Sequence, residues 1–349
     1  MTRPAAPSVR RARTVLGAGA VITAAALGLS ACATPGAGGG AAGGPNIVAT
    51  TTQVGDFTRE LVGDSAEVTQ LLAAGQSAHG FDPSAGQLLA LAEADALVIN
   101  GGGLESWLDD AVSASGFDGV LVDASTGIEL FGTDDHADDE HVAEADDHAD
   151  EADEHDHADG NPHIWTDPEL AEHMVENIAA GLADVSGTDT DALDANEAAY
   201  LDRLGALDDW IEENVAQVPV EQRLLVTNHD AFTYLVDAYD ITFVGSIIPS
   251  FDDNAEPSAA EIDRLVADIR STGVLAVFSE ASISSKAAET IAREAGVTVY
   301  SGDDALYGDA LGAPGSEGET YLGSQLHNAR LILESWGVEP SPLPAVLQG

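Results

Sequence analysis

One continuous helical pattern, residues 189–217, divides this 349-residue chain and limits what it can fold into. Apolar residues recur there at three- and four-residue spacing: Leu193, Tyr200, Leu204, Leu207, Ile211 and Val215. That is the stripe of a helix packed along one face. At about 1.5 Å per residue it can run the length of a domain. On either side of it, short apolar runs alternate with amphipathic segments, the pattern of an α/β protein. Before it, NIVATT, VTQLLA, ALVIN and GVLVDA read as strands, with helices over DFTRELVG, residues 83–94 and residues 104–114. Asp82-Pro83 reads as an N-cap and first helical residue. After it, RLLVTN, ITFVGSII, VLAVFSEA and VTVYS read as strands. Helices are expected near Asp230, from Ser258 (a capping box with Glu261), near Ser285 and over residues 320–336. The expected architecture is two α/β lobes, residues 46–188 and 218–349, joined by a single long rigid helix at 189–217. A helix of that kind restricts motion between the lobes.

The first 32 residues are expected to be an export signal. Arg3, Arg10, Arg11 and Arg13 form a positive start, and residues 15–29 an apolar stretch of signal-peptide length, short for a membrane span. L-S-A-C then ends at Cys32, the only cysteine. A lone cysteine can be a buried apolar residue, a reactive thiol or a lipid attachment point; its place after the apolar stretch selects the last. The string resembles the lipobox of bacterial lipoproteins, which implies cleavage before Cys32 and a lipid on it. No disulfide is then possible within the mature chain. Arg10-Arg11 weakly resembles a twin-arginine signal and does not decide the export route. Residues 33–45 read as a flexible Gly/Ala tether.

The charge balance excludes one class of partner. With 61 acidic residues against 12 basic, the formal net charge is −49, and losing four signal arginines and no acids takes it to −53. A phosphate backbone needs Lys and Arg, so no nucleic acid is expected. The acidity suits cations, a saline habitat, or both. Residues 134–159 concentrate it, with 14 acids, five histidines and no basic residue. Such a segment cannot offset its own ordering entropy and is expected to be a disordered loop. Its histidines, His136, His141, His148, His155 and His157, suit either an acidic linker or a weak, fast-exchanging zinc collector.

The other histidines divide by position. His79, His163 and His229 follow strands or precede helices in loops, where open α/β sheets bind ligands. His173 and His327 fall inside expected helices and read as structural. Three imidazoles and one carboxylate make a closed tetrahedral zinc site. Composition leaves Glu280, Asp303, Asp304 and Asp309 open as the fourth ligand. Trp165 is close enough in sequence to His163 to shape a site wall, and Asn228 and Asp230 flank His229 as possible orienting groups.

Four segments, S-A-H-G-F-D-P-S, N-P-H-I-W-T-D-P, T-N-H-D-A-F-T-Y-L and A-L-Y-G-D-A-L-G with its T-Y-L-G-S-Q-L-H-N tail, carry a resemblance. They are similar, in the same order, to the metal-type (zinc/manganese, cluster A-I) solute-binding lipoproteins of ABC transporters. The resemblance runs from Asn46 to Gly337. It implies two α/β lobes on one long helix, with a metal site in the interlobe cleft. It implies His79 and His163 from the first lobe, and His229 and Asp309 from the second. Asp309 is chosen because it holds the Asp of the family's Y-x-D-A-L-G string. The implied function is an extracytoplasmic receptor, monomeric and lipid-anchored, that passes Zn2+ to an ABC permease and its ATPase. Members preferring manganese or iron commonly carry a carboxylate where His229 stands, so zinc is expected and Mn2+ is the alternative.

Two other functional classes fit the sequence less well. A zinc hydrolase needs an open coordination position and a general base, and the chain lacks H-E-x-x-H. A surface metal buffer would use the same site without an importer. Gly101-Gly102-Gly103 hints at a phosphate loop, but no G-K-S/T or G-x-G-x-x-G completes it.

Overall fold

A computed structural model describes residues 44–132 and 160–348. Cys32, the signal, most of the tether and the acidic segment with its five histidines lie outside the described residues. Among those described, no helix is long and apolar enough to cross a membrane.

The first lobe is built on one parallel sheet. Strands β1 (Asn46–Ala49), β2 (Glu67–Gln70), β3 (Ala96–Ile99) and β4 (Val120–Asp123) lie in the order β2-β1-β3-β4. β3 is buried throughout, as a central parallel strand must be. Helices α1 (Thr52–Val62), α2 (Ala85–Ala92), α3 (Leu108–Ser115) and α4 (Pro168–Ala183) accompany it. In the second lobe, β5 (Leu224–His229) pairs in parallel with β6 (Thr242–Ile248), and β7 (Ala276–Phe278) with β8 (Thr298–Tyr300). β5 and β7 lie side by side, so the two pairs form one interrupted layer. Helices α6 (Thr233–Ala238), α7 (Ala259–Thr272) and α8 (Lys286–Ala295) belong to it.

The long helix, α5, spans Thr190–Val215 and buries Leu193, Tyr200, Leu204, Leu207, Trp210 and Ile211. Its 26 residues reach about 39 Å. It packs on α1 and α4 in one lobe and on the last helix, α9 (Tyr321–Ser335), in the other. One large apolar core accordingly runs through both lobes, and a smaller one lies around Val226, Ile247, Leu265 and Ile291. The two-lobe α/β architecture on a long helix is what the sequence pattern led us to expect.

Several element starts differ from that reading, each for a local reason. α1 begins at Thr52, four residues early, because Thr51 caps it by accepting from the Val54 amide; the Thr run that looked extended is the cap. The cap of α2 is Ser84, in a reciprocal box with Gln87, in place of Asp82. α3 starts only at Leu108 because the chain first wraps around the buried carboxylate of Glu105. That group accepts from the amides of Asn100 (2.8 Å) and Gly101 (3.1 Å) and from the Thr50 hydroxyl (2.6 Å). Gly101, Gly102 and Gly103 all take positive φ to make this wrap. The glycine triplet thus cradles an internal carboxylate. The capping box expected at Ser258 is present, and Asp167 caps α4 ahead of Pro168.

Candidate metal centre

The parallel strands of each lobe point their carboxyl ends at one crevice, and the loops leaving them carry the site. His79 sits in the turn after β2. His163 precedes a short 3-10 turn, Ile164–Thr166, that leads into the Asp167 cap of α4. His229 is the last residue of β5, beyond a register shift at Leu225/Val226. Asp309 follows the bridge that pairs Leu306 with Glu280 just after β7.

These four side chains offer ligand atoms that all lie within 4.8 Å of one another. His163 Nε2 is 3.2 Å from His79 Nε2 and 3.4 Å from His229 Nε2. Asp309 Oδ1 is 3.1 Å from both His163 Nε2 and His229 Nε2, and its Oδ2 is 3.9 Å from His79 Nε2. The side chains of His163, His229 and Asp309 are fully buried, and that of His79 is 8% exposed. The other two described histidines stand apart. His173 is exposed on α4 beside Glu176 at 3.1 Å. His327 in α9 bonds the Ala305 carbonyl at 3.0 Å. Asp303 and Asp304 lie exposed in a short turn.

The far side of two rings fixes what the near side can do. His163 Nδ1 is 2.6 Å from Asn161 Oδ1, which also accepts the His163 amide at 3.1 Å. The Asn161 amide nitrogen donates to the Asp230 carbonyl (2.9 Å) and to Thr233 Oγ1 (3.0 Å), which sets its orientation. His229 Nδ1 is 2.8 Å from Glu280 Oε1, which also accepts the His229 amide at 3.0 Å. Both Nδ1 positions therefore face acceptors and carry the hydrogen. In the neutral rings the Nε2 lone pairs then point at one another and at the Asp309 carboxylate. In that state neither backed ring offers Asp309 a donor, and a cation, whether a metal ion or a proton on His229, relieves the crowding.

Electrostatics separates the two buried rings. Burial pushes His163 down to about 4, more strongly than Asp309 favours its charged form. Burial acts the same way on His229, but Glu280 and Asp309 outweigh it and hold that ring well above an ordinary imidazole. Asp309 resists burial because His229 and His163 hold it well below the usual carboxylate range. Burial raises Glu280, with His229 opposing.

The Asp309 loop is fastened to the first lobe. The Gly308 carbonyl accepts from Gln53 Nε2 (3.1 Å) and Trp165 Nε1 (3.2 Å), and the Leu311 amide donates to Thr52 Oγ1 at 2.8 Å. A Cβ at position 308 would fall 2.2 Å from Glu280 Oε2, so a larger residue there would have to displace the carboxylate behind His229. The Trp165 ring also lies 5.1 Å from that of His163, tilted 54° to it, and forms the expected wall. Of the groups expected to orient His229, Asn228 leaves its Oδ1 buried without a partner. Asp230 bears instead on Asn161, directly through its carbonyl and indirectly through its Oδ1, which accepts from Thr233 Oγ1 at 2.9 Å. The orienting groups are Glu280 and Asn161. The N-P-H spacing was the available signal for Asn161; Glu280, 51 residues from His229, carried none.

The family model for "Zinc-uptake complex component A periplasmic" matches residues 47–335. The chain belongs to this family. It is 28% identical over 286 residues to the manganese-binding lipoprotein MntA of Halalkalibacterium halodurans, covering 82% of this chain and 86% of that one. It is 31% identical over 313 residues to the zinc-binding protein AdcA of Streptococcus pyogenes, covering 86% of this chain and 58% of that protein. The chain thus spans little more than half of that relative. Among solved structures, the periplasmic zinc binding protein TroA from Treponema pallidum superposes with a TM-score of 0.71 at 25% identity, over 84% of this chain and 99% of that one. A ZnuA deletion mutant with zinc bound shares the fold at a TM-score of 0.68 and 24% identity, over 85% of this chain and all of that one.

Proposed function

We propose that this protein is an extracytoplasmic receptor that captures one divalent ion, zinc, between His79, His163, His229 and Asp309 and delivers it to an ABC importer. The observation that carries this reading is the convergence of three imidazoles and one buried carboxylate, whose ligand atoms all lie within 4.8 Å of one another. Its dimensions suit the ion. A tetrahedron with centre-to-ligand distances of about 2.0–2.1 Å has edges of about 3.3–3.4 Å. Four of the separations here are 3.1, 3.1, 3.2 and 3.4 Å, close to that edge. Three nitrogens and one oxygen suit borderline-soft zinc. Four ligands close the shell and leave no position for a reacting water, which favours a carrier over a hydrolase.

The remaining parts of the reading follow from the sequence and the family. Cys32 would carry the lipid, residues 33–45 the tether, and the lobes 46–188 and 218–349 would grip the ion across the 189–217 helix. The partners would be a permease and its ATPase, and the receptor would act as a monomer. Manganese is the second reading. Asp309 Oδ2 is buried without a hydrogen-bond partner and could add a fifth ligand for a harder ion, and a relative named for manganese matches most of the chain.

Competitive titration of the purified protein with zinc and manganese tests both. One tight zinc equivalent, lost separately in His79→Ala, His163→Ala and His229→Ala, is the expected result. Wild-type zinc affinity in all three variants would overturn the assignment, and tighter binding of manganese would select the second reading.

A further inference from the structure

Among the three histidines, His79 alone has no hydrogen bond to its Nδ1 from any described residue. His163 is backed by Asn161 and His229 by Glu280. What holds His79 is its backbone. On one side its carbonyl accepts from Ser106 Oγ at 3.2 Å, and the preceding carbonyl, of Ala78, accepts from Trp107 Nε1 at 2.9 Å. Both of those donors belong to the same lobe as His79. On the other side the His79 amide donates to Ser77 Oγ at 3.2 Å, and the Ser77 hydroxyl donates to Asp253 Oδ1 at 2.9 Å. Asp253 lies in the loop between β6 and α7, in the opposite lobe.

That loop is shaped to reach across. Asn254 is held by Asp252, whose Oδ1 accepts from its amide at 2.9 Å and from its side chain at 3.0 Å. The turn so formed touches the residue after His79: a Cβ on Gly80 would lie 3.2 Å from Asn254 Nδ2. Two turns from opposite lobes therefore meet beside the one ligand that solvent reaches.

We infer that Asp253, acting through Ser77, is a positioning residue for His79 and sets how fast the captured ion leaves. This rests on the metal-receptor reading above. A ligand with its far nitrogen unsupported keeps its place only as well as its backbone does, and departure of an ion begins at the ligand most easily displaced. The hydroxyl relay anchors that backbone to the far lobe, so breaking it frees His79 while leaving the other three ligands on their own supports.

The test is the release of zinc from the loaded, purified protein into excess chelator, measured for wild type, Ser77→Ala, Asp253→Ala, Asp253→Asn and the Ser77→Ala/Asp253→Ala double variant. A lost hydrogen bond to a charged group predicts release roughly tenfold faster in each alanine variant. The double variant should match the singles, because both remove one relay. Asp253→Asn keeps an acceptor and should recover most of the wild-type rate. Association rates and the melting of the metal-free protein should stay at wild-type values. Unchanged release in both alanine variants, or effects that add in the double variant, would overturn the inference. Failure of the wild type to take up zinc at all would instead overturn the receptor reading.

Discussion

The lobes meet at two buried carboxylates that behave in opposite ways. Asp309 sits among three imidazoles, and His229 and His163 hold it well below its ordinary pKa despite complete burial. Asp56, in α1, lies under the start of α9 and accepts the Tyr321 amide at 2.8 Å. Burial pushes it up to about 6, and that amide with the 4.0 Å approach of Arg59 offsets only part of the cost. Both are interlobe contacts made by one acid. The first is a charge its imidazole neighbours favour; the second is a charge the fold holds at a cost. Burial alone does not decide which, and the nearest positive or protonatable groups do.

Removing each acid should expose that difference, and the largest effect belongs to Asp309. A structural zinc contributes roughly 10–16 kcal/mol of apparent binding, or about 2.5–4 kcal/mol per ligand. Asp309→Ala should therefore weaken zinc several hundredfold in a chelator competition, while Asp56→Asn leaves zinc affinity at the wild-type value. Equal losses in the two variants would erase the contrast.

Asp56 should declare itself in stability. Its folded pKa of about 6 lies above the unfolded 3.8, so its contribution is fully present below pH 3.8 and lost as pH rises through 6. The span corresponds to about 3 kcal/mol. Denaturant unfolding of the metal-free protein from pH 4 to 7 should show Asp56→Asn gaining on wild type by up to that amount, with the gain levelling off above pH 7. A difference independent of pH would show that the carboxylate stays ionised throughout.

A smaller effect is expected at the backing groups. Loss of an outer partner of a ligand typically costs 10–100-fold in metal affinity. Glu280→Gln should fall in that range and exceed Asn161→Ala, because a carboxylate strengthens His229 as a donor more than a neutral amide strengthens His163. The reverse order in zinc titrations would place the stronger support in the first lobe. Smallest should be deletion of residues 134–159, whose acids and histidines would hold ions weakly. The expected change is fewer loosely bound zinc ions per chain by equilibrium dialysis, with the tight equivalent intact.

Much of this arrangement could be read from the chain because local chemistry dictates it. The α5 stripe, the Asp167-Pro168 start and the Ser258–Glu261 box are rules acting within one or two helical turns, and all three are present. His79, His163 and His229 stood out because loops after strands gather at one crevice. Asp309 needed the family string, since composition offered three other acids as readily. Glu280 was weighed as a ligand and lies instead behind His229, a role set by a contact between β5 and the end of β7 that no local spacing encodes. The late start of α3 has the same origin: Glu105 folds back on Asn100 and Gly101, and tertiary satisfaction of a buried acid overrides an amphipathic pattern.

α5 bears on how any partner would tell a full receptor from an empty one. A strut of 26 residues, packed against helices of both lobes, leaves little scope for the wide clamshell swing that signals occupancy in hinged receptors. Loading must then be announced over a few ångströms at the rim, by the turns around His79 and the 249–257 loop. An importer docking here would read texture at that rim rather than the overall posture of the molecule.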